Sequence, residues 1–278
     1  MQSMREIKDI KEIQKIELNI LKYFKSVCVA NGLRYYMAFG TLIGCVRHKG
    51  FIPWDDDIDV FMPYSDYLKL VQIFKNSDQK KYKLVSYETD DRYTAALPKI
   101  IDTDTHLIQN YGFVEKVELG LYIDIFPLAG TGNDLNEVRH NLMEQKKIAD
   151  QWCRADTAMF VPRDSWKIKG LLRWFRNLPC KMKGYRYYIK QINQYMYGHS
   201  FDDYKFVTRF GLPFEDFYDY LWKKEDFGEG VELEFEGDTY CVPQNYDHLL
   251  TQMYGDYMKL PPKEKQVTIH DSKMYIKG

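Results

Sequence analysis

The chain has 278 residues, of which 39 are Lys or Arg, 40 are Asp or Glu, and 45% are hydrophobic. This composition is typical of a globular protein that can bury its core without disulfides or a structural metal, and it excludes an intrinsically disordered chain. A net charge of −1 argues against nucleic acid as a partner, because a protein that neutralises phosphates needs a clustered excess of basic residues.

No apolar run approaches the roughly 18 to 20 residues of a bilayer-spanning helix, so we expect a cytoplasmic protein. The N-terminal segment is charged and periodic, unlike a hydrophobic leader. The five cysteines form no CxxC pair, and we expect them to be reduced and buried. The six histidines form no HExxH motif, which gives no indication of a zinc site.

Hydrophobic periodicity predicts a mixture of helices and strands in the first half of the chain. From Ile7 to Val27 the apolar residues recur every three or four positions, as on one face of a helix, until Asn31-Gly32 ends the pattern. Short aromatic and β-branched runs bounded by Gly, Pro or Asp predict strands. The other elements expected are strands over 34–39 and 57–62, a turn at Gly40-Thr41 whose hydroxyl caps a short helix, a helix over 65–74, and strands over 82–87, 95–101 and 121–126.

The second half begins with more helical sequence. Asn133-Asp134 predicts the cap of a helix that runs to about Ala155, and two further helices are expected between Arg163 and Tyr197. A hairpin over 231–242 and a helix from Asn245 to Gly255 follow. Because no Gly/Ser/Pro-rich seam divides the chain, we expect one composite domain over 1–278. Its parts are an α/β core over about 20–130, a helical segment over about 131–200 and a mixed C-terminal region over about 201–278.

Four carboxylates lie within five positions at the start of a hydrophobic strand, in the sequence 54–61 (WDDDIDVF). Side chains alternate along a strand, so Asp57 and Asp59 are expected on one face, with Ile58 and Val60 on the other. Two carboxylates this close repel each other unless a positive charge lies between them. Carboxylate oxygens suit Mg²⁺ or Mn²⁺, and we therefore expect a divalent cation at this strand.

The same segment has two other interpretations. Four aspartates before a strand can form an acidic, solvated turn that binds nothing. Asp55, Asp57 and Asp59 also have the spacing of a calcium-binding loop, but Val60 stands where that loop requires Gly, and Pro63 interrupts it. The calcium loop is therefore disfavoured, and the solvated turn stays open.

A third carboxylate, Asp124, interrupts the apolar run 121–126. Burying a lone carboxylate is costly unless the group is paired. We therefore expect Asp124 to meet the cation held by Asp57 and Asp59. The alternative is an Asp at the strand end that faces solvent near Pro127.

Residues upstream of the acidic strand can hold phosphate. Gly40 and Thr41 lie between a strand and a short helix, where backbone N–H groups point outward. Arg47 and His48, which lie between this turn and the acidic strand, can meet phosphate charge, and so can Lys99 in a later strand, although each can equally lie on a solvated surface. A phosphate-holding turn before a double-Asp strand, with a third Asp on a later strand, is the layout of nucleotidyltransferases.

Three segments of the chain resemble the LicD family of phosphotransferases. They are the sequences 36–60 (YMAFGTLIGCVRHKGFIPWDDDIDV), 122–127 (YIDIFP) and 254–265 (YGDYMKLPPKEK). The match covers most of the chain and is weakest over 131–200. The resemblance implies a polymerase-β-like nucleotidyltransferase core with a mixed sheet, a helical insertion and a C-terminal α/β extension.

Members of this family move phosphocholine, or in the fukutin-related proteins ribitol phosphate, from a CDP-activated donor to a glycan. The resemblance therefore implies CDP-choline or another CDP-alcohol as the donor, a glycan or lipid-linked glycan as the acceptor, and Mg²⁺ or Mn²⁺ as the cofactor. The implied site residues are Asp57, Asp59 and Asp124 for catalysis and metal binding, Asp55 as a supporting metal ligand, and Gly40 and Thr41 for the donor phosphates.

The motifs and the resemblance together predict in-line phosphoryl transfer. A sugar hydroxyl would attack the distal phosphorus of the donor, Asp124 would assist removal of its proton, and CMP would leave. Two alternatives stay open. One is a nucleotidyltransferase that releases pyrophosphate from an NTP, and the other is a metal- or glycan-binding module without turnover.

Aromatic content suggests how choline would be held. The chain has 23 Tyr, 16 Phe and 5 Trp, and a quaternary ammonium group is usually bound between aromatic faces. Trp54, Tyr122, Tyr254 and Tyr257 are candidates by their proximity to the motifs, although each can equally be a core residue.

The segment 163–190 is basic and aromatic. It carries nine Lys or Arg and one acidic residue, interleaved with Trp, Leu and Phe. Such a segment can lie against the anionic inner face of a cell membrane, or it can be a solvated basic face packed on the core.

Overall fold

A mixed sheet of seven strands is the centre of the fold. The computed structural model describes residues 4–95, 97–109, 117–155, 168–210, 217–268 and 272–278. The strands are β1 (Met4–Ile7), β2 (Tyr36–Met37), β3 (Asp59–Pro63), β4 (Tyr82–Val85), β5 (Lys99–Asp102), β6 (Thr105–Gln109), β7 (Tyr122–Gly132), β8 (Phe206–Arg209), β9 (Leu221–Lys223), β10 (Val231–Phe235), β11 (Asp238–Val242) and β12 (Ser272–Lys277). The α-helices are α1 (Ile10–Asn31), α2 (Phe39–Ile43), α3 (Tyr64–Lys75), α4 (Leu135–Ala155), α5 (Ile168–Lys183), α6 (Tyr185–Gly198), α7 (Lys224–Phe227) and α8 (Tyr246–Tyr254).

The long strand β7 organises the central sheet. It runs parallel to β3, and its other edge is antiparallel to β5 at its start and to β8 from Leu128 onward. The full order is β2-β3-β7-β5-β4, with β9 beside β8. This mixed sheet, flanked by helices, confirms the α/β class of α+β type that the sequence predicts. Strands β1, β12 and β6 form a second sheet, and β10 pairs with β11 as the expected hairpin.

The two faces of the central sheet pack against different cores. Val60 and Ile125 belong to a large cluster that includes side chains of α1, α3, α4 and α6. Phe61 and Phe126, which alternate with them, belong to an aromatic cluster with side chains of β2, β9 and α7. The large cluster also contains residues of the expected core, helical and C-terminal segments, so these segments share one core.

Several local patterns are confirmed by the structure. The helix expected after Asn133-Asp134 is α4, and the Asp134 carboxylate accepts hydrogen bonds from the backbone N–H groups of Asn136 and Glu137. The hairpin turns at Glu236-Gly237, where both residues have positive φ, 50° and 76°. Of the five cysteines expected to be buried, Cys28, Cys45 and Cys153 are buried, whereas Cys180 and Cys241 are only half-buried.

The start of the first helix was predicted wrongly. It begins at Ile10 after Asp9, whose side chain accepts a hydrogen bond from the backbone N–H of Lys11. Ile7 lies instead in β1, which pairs with β12 near the opposite end of the sequence. Helical periodicity cannot detect a partner strand that far away, and β6, β8 and β12, which also pair with distant strands, were missed for the same reason. The three-residue strand β9 was missed as well.

The elements around the acidic segment also differ from the prediction. The strand expected over 57–62 begins at Asp59, so Asp57 precedes it. The strand expected over 34–39 is only Tyr36–Met37, and α2 already starts at Phe39, with Ala38 in the capping position. Thr41 therefore lies inside α2 and does not cap it.

Strand β7 was predicted to end at Phe126 but continues through Pro127 to Gly132. Proline lacks the N–H that a sheet ladder uses and usually marks a strand end. On one edge of β7, β5 pairs with residues up to Asp124 and β8 pairs with residues from Leu128 onward. Pro127 lies between these two partner strands, so neither of them requires an N–H from it. The strand expected over 95–101 is β5, which begins at Lys99; position 96 lies outside the described residues.

The two helices expected between Arg163 and Tyr197 are α5 and α6, while residues 163–167 lie outside the described part of the chain. Among the described helices, none has the length and hydropathy needed to cross a bilayer.

The close packing of β7 gives a first test. A Cβ atom added at Gly130 would lie 2.2 Å from Cδ2 of Tyr204 and 2.7 Å from the carbonyl oxygen of Ser200. We expect Gly130→Ala to lower the free energy of unfolding by about 1 to 3 kcal/mol in urea denaturation, because both neighbours must shift. Gly198→Ala is the matched control, since a Cβ there meets no heavy atom within 4 Å. Equal stability of the two variants would contradict this packing.

Candidate active site

Two carboxylates meet where β3 and β7 run side by side. In the parallel register Asp59 lies opposite Asp124, and on the other edge of β7 Lys99 lies opposite Asp124. Asp59 and Asp124 are two positions from Phe61 and Phe126, so they lie on the aromatic face of the sheet. The register thus brings together three of the residues predicted from separate motifs.

Lys99 neutralises one of these carboxylates. Its Nζ donates a hydrogen bond of 2.5 Å to Oδ1 of Asp124, and the two side chains are only 10% and 14% exposed. The same Nζ lies 3.5 Å from the ring centroid of Tyr122, a cation–π contact. The sequence pointed to Lys99 as a phosphate-binding residue, and the structure adds that it is the ion-pair partner of Asp124.

Asp59 is a buried carboxylate in a negative environment. Burial raises the pKa of its side chain well above the usual range, and the charges of Asp57, Asp124 and Asp55 act in the same direction, while Lys99 opposes them. The backbone N–H of Asp59 donates a 2.9 Å hydrogen bond to Oγ1 of Thr41. The Thr41 hydroxyl, which the sequence pointed to as a phosphate-binding group, is thus buried and fixes the start of β3.

Gly40 provides space for Asp55. A Cβ atom at position 40 would lie 2.6 Å from Oδ2 of Asp55, so this carboxylate rests directly on the backbone of α2. Asp55 is also held by its backbone, because its carbonyl oxygen accepts a 2.8 Å hydrogen bond from Nε2 of Gln14. Asp57 is half-buried just before β3, close enough to Asp59 to raise the pKa of that carboxyl.

Arg47 and His48 lie in the π-helical turn Gly44–His48 that follows α2. Nε of Arg47 donates to Nε2 of His48 at 2.9 Å, and its Nη1 donates to the carbonyl oxygen of Tyr257 at 2.5 Å. Arg47 therefore ties the C-terminal motif 254–265 to the motif 36–60. Burial, aided by the Arg47 charge, lowers the pKa of His48.

The four aromatic residues suggested for a choline cage have different surroundings. Tyr122 already holds Lys99 on its ring, and Trp54 is half-buried against the large core. Tyr257 is buried, with its hydroxyl donating to Oδ1 of Asp247 at 2.6 Å. Tyr254 is 46% exposed, yet loss of hydration around its hydroxyl raises its pKa, as do the charges of nearby Asp59, Asp55 and Asp57. Of these four residues, Tyr254 is therefore the most exposed, and it lies near the acidic centre.

A second aromatic cleft lies on the helical side of the sheet, near the gap between β5 and β8. Its carboxylate, Glu88, accepts hydrogen bonds from the Tyr67 hydroxyl at 2.7 Å and from Nδ2 of Asn193 at 3.0 Å. No sequence motif pointed to this cleft, because its residues come from α3, α6 and the loops around β5. The tyrosines that line it are Tyr64, Tyr67, Tyr87 and Tyr93.

Glu17 is an acidic residue of the site that the sequence motifs missed. It belongs to the buried side of α1 and is 3% exposed, and within the described residues its Oε2 has no hydrogen-bond partner. Burial raises its pKa well above the usual range, with further contributions from Asp57, Asp56 and Asp55. The sequence could have indicated Glu17, because this carboxylate lies between Ile13 and Ile20 on the apolar face of an amphipathic helix.

The oxygen donors fit a divalent cation in kind, since half-buried carboxylates gather around the buried Asp59, with Lys99 as the nearby opposing charge. Their arrangement fits less well. Among the described residues, no three His, Cys, Asp or Glu side chains are placed so that they could hold one metal ion. Asp124 is engaged by Lys99, so a shared cation would require at least one carboxylate to turn.

Comparison with known proteins agrees with the motifs. The family model described as LicD/FKTN/FKRP, nucleotidyltransferase domain, matches residues 32–151, which span α2, β3 and β7. The lipopolysaccharide cholinephosphotransferase LicD of Haemophilus influenzae is 30% identical over 272 residues, which cover 96% of this chain and 98% of that protein. The chain belongs to the LicD family.

Other relatives cover less of this LicD-family chain. An uncharacterized protein of Rickettsia prowazekii is 39% identical over 69 residues, 25% of this chain and 26% of that protein. Mannosyltransferase regulator 4 of Saccharomyces cerevisiae is 27% identical over 147 residues, 50% of this chain and 12% of that protein.

The buried Glu17 predicts how stability depends on pH. Because its pKa is raised in the folded state, unfolding releases its proton once the pH exceeds the ordinary glutamate pKa. The free energy of unfolding of the metal-free protein therefore falls as the pH rises from the ordinary glutamate pKa to the raised pKa of Glu17. The buried Asp59, whose pKa is also raised, lowers the stability in the same direction. We expect Glu17→Gln to lose less stability than the wild type between pH 5 and pH 8, measured by urea unfolding in EDTA. As a control, Glu144→Gln, at an exposed position of α4, should keep the wild-type dependence of the unfolding free energy on pH. The same dependence in Glu17→Gln would contradict the assignment of a raised pKa to Glu17.

Proposed function

We propose that this chain transfers phosphocholine, or a similar alcohol phosphate, from a CDP-activated donor to a hydroxyl of a glycan, with release of CMP. The observation that carries the proposal is the centre of Asp59, Asp124 and Lys99, in a chain that aligns over 96% of its length with a lipopolysaccharide cholinephosphotransferase. The acceptor is then a glycan or a lipid-linked glycan.

Asp124 is the group best placed to accept a proton. Lys99 holds its Oδ1, while no described residue donates a hydrogen bond to its Oδ2. In the proposed reaction the acceptor hydroxyl attacks the phosphorus that carries the alcohol, and its proton passes to Asp124. The bond from that phosphorus to the bridging oxygen breaks, and CMP leaves with the electron pair.

The surrounding residues would bind and orient the donor. Lys99 is an ammonium group at the edge of the acidic centre and can meet phosphate oxygens as they approach Asp124. We propose that Asp57 and Asp59, supported by Asp55 and Asp124, bind Mg²⁺ or Mn²⁺. A cation bound there would supply positive charge for the diphosphate. Tyr254 would place an aromatic face beside the same centre.

The carboxylates give the direct test of this proposal. We expect Asp59→Asn and Asp124→Asn each to lower CMP release from CDP-choline by about 100-fold or more, since each replaces a carboxyl group of the reacting centre by an amide, which is a much weaker cation ligand and proton acceptor. CMP would be measured by chromatography with CDP-choline, CDP-ribitol and CDP-glycerol, and folding by thermal unfolding. Asp78→Asn, at an exposed position after α3, is the control and should keep full activity.

The products separate the alternatives. Pyrophosphate from CTP, with no CMP from any CDP-alcohol, would replace the proposal with a nucleotidyltransferase. Near wild-type CMP release by Asp59→Asn would refute the assignment of the site, and binding of a CDP-alcohol without turnover would favour a binding module.

Gly40 tests the position of Asp55 without removing a charge. A methyl group at position 40 would lie 2.6 Å from Oδ2 of Asp55, which is too close for two non-bonded atoms. The short Asp55 side chain can relieve this contact only by turning away. We therefore expect Gly40→Ala to lower CMP release by about tenfold or more while the free energy of unfolding changes by less than about 1 kcal/mol. Calorimetric titration with donor would show weaker binding, and unchanged activity would remove Gly40 and Asp55 from the site.

A further inference from the structure

The end of α5 and the start of α6 expose aromatic and basic side chains together. Residues 168–190 contain seven Lys or Arg and no Asp or Glu, in a chain whose net charge is −1. The inner side of this segment is anchored, because Asn177, Tyr188 and Ile189 are buried. Helix α5 packs on α4 and α6, which in turn pack on β7, so its free side faces away from the central sheet.

Large apolar side chains are exposed on this free side. Trp174 is 45% exposed, Phe175 56% and Met182 79%. Trp174 and Phe175 pack edge to face on each other, with ring centroids 5.1 Å apart. Two adjacent exposed aromatic rings and a methionine are unusual on a solvated surface and indicate contact with an apolar partner.

Basic side chains surround these apolar groups. Nζ of Lys181 lies 5.6 Å from the Trp174 ring centroid, and Nζ of Lys183 lies 4.9 Å from that of Tyr187. Arg186 pairs with Asp91 at 3.0 Å, but within the described ranges neither Arg176 nor these two lysines has a carboxylate at ion-pairing distance. Among the described residues, therefore, no carboxylate neutralises these three basic groups.

We propose that the surface formed by Trp174, Phe175, Arg176, Lys181, Met182 and Lys183, here called the basic aromatic surface, binds the headgroup region of an anionic lipid bilayer. Lysine and arginine are attracted to anionic headgroups, and tryptophan and phenylalanine enter the boundary between headgroups and acyl chains. A soluble polyanion would use the charges but not the exposed apolar side chains. The surface belongs to the helical side of the sheet, whereas Asp59 and Asp124 lie on the aromatic side, so docking leaves those carboxylates uncovered.

Vesicle flotation tests this proposal. Wild-type protein would be floated with vesicles of phosphatidylcholine alone or with 30% phosphatidylglycerol, at low and high NaCl. Each basic residue near such a surface contributes about 1 kcal/mol, so the triple variant Arg176→Gln, Lys181→Gln, Lys183→Gln should bind anionic vesicles about 100-fold more weakly. The control Lys75→Gln, Lys80→Gln, Lys83→Gln makes the same charge change at exposed positions around β4 and should bind like the wild type.

The aromatic pair distinguishes a bilayer from a soluble polyanion. We expect Trp174→Ala, Phe175→Ala to weaken vesicle binding by about tenfold or more, and Trp174→Phe to remove a vesicle-induced blue shift of tryptophan fluorescence. Unchanged vesicle binding by the aromatic variant would overturn the bilayer proposal in favour of a polyanion site. Equal losses of binding in the basic-surface triple variant and its control, or no binding of the wild type to anionic vesicles, would overturn it altogether. Far-ultraviolet circular dichroism would verify that each variant is folded.

Discussion

The parallel register of β3 and β7 is the constraint on which the site depends. It places Asp59 opposite Asp124, and a slip of one residue would turn one of these carboxylates to the helical face of the sheet. Parallel neighbours require a long crossover, and here the crossover contains α3, β4 and β5. The same crossover places Lys99, in β5, on the other edge of β7. The topology therefore brings two carboxylates close enough to repel each other, and it also brings the ammonium group that partly neutralises them.

Packing on the aromatic face stabilises this concentration of charge. The Phe39 ring lies within 5 Å of those of Phe61 and Phe126, and such pairs contribute about 0.5 to 1.5 kcal/mol each beyond area burial. Phe39 also has a φ of 46°, a strained value for a bulky residue, at the first position of α2. The ring contacts hold this strained backbone, and two residues later the Thr41 hydroxyl accepts the N–H of Asp59. The short helix α2 therefore connects the packing of the aromatic core with the geometry of the site.

Local sequence patterns predicted the parts of this arrangement that local physics controls. The cap of α4 and the β10–β11 hairpin follow from capping and turn residues. The cost of burying a charge predicted that Asp124 would be paired, and its partner in the structure is Lys99. The sheet β1-β12-β6 could not be predicted, because its strands come from the two ends and the interior of the chain and carry no strong alternation. Asp57 falls before β3, and Glu17 joins the acidic region from α1. Both positions depend on tertiary packing, which cannot be inferred from the alternation of a strand or from a short motif.

Under the proposed reaction, the position of Lys99 also constrains how choline would be recognised. A quaternary ammonium group needs open aromatic faces, but the Tyr122 ring already carries the Lys99 ammonium at 3.5 Å, and the Tyr257 hydroxyl is bound to Asp247. Tyr254 keeps an accessible ring beside the acidic centre. A donor headgroup near Asp124 would thus either displace Lys99 from Tyr122 or bind on Tyr254. In the first case Lys99 is freed to follow the diphosphate, so recognition of the cation and neutralisation of the phosphates would be coupled through one side chain.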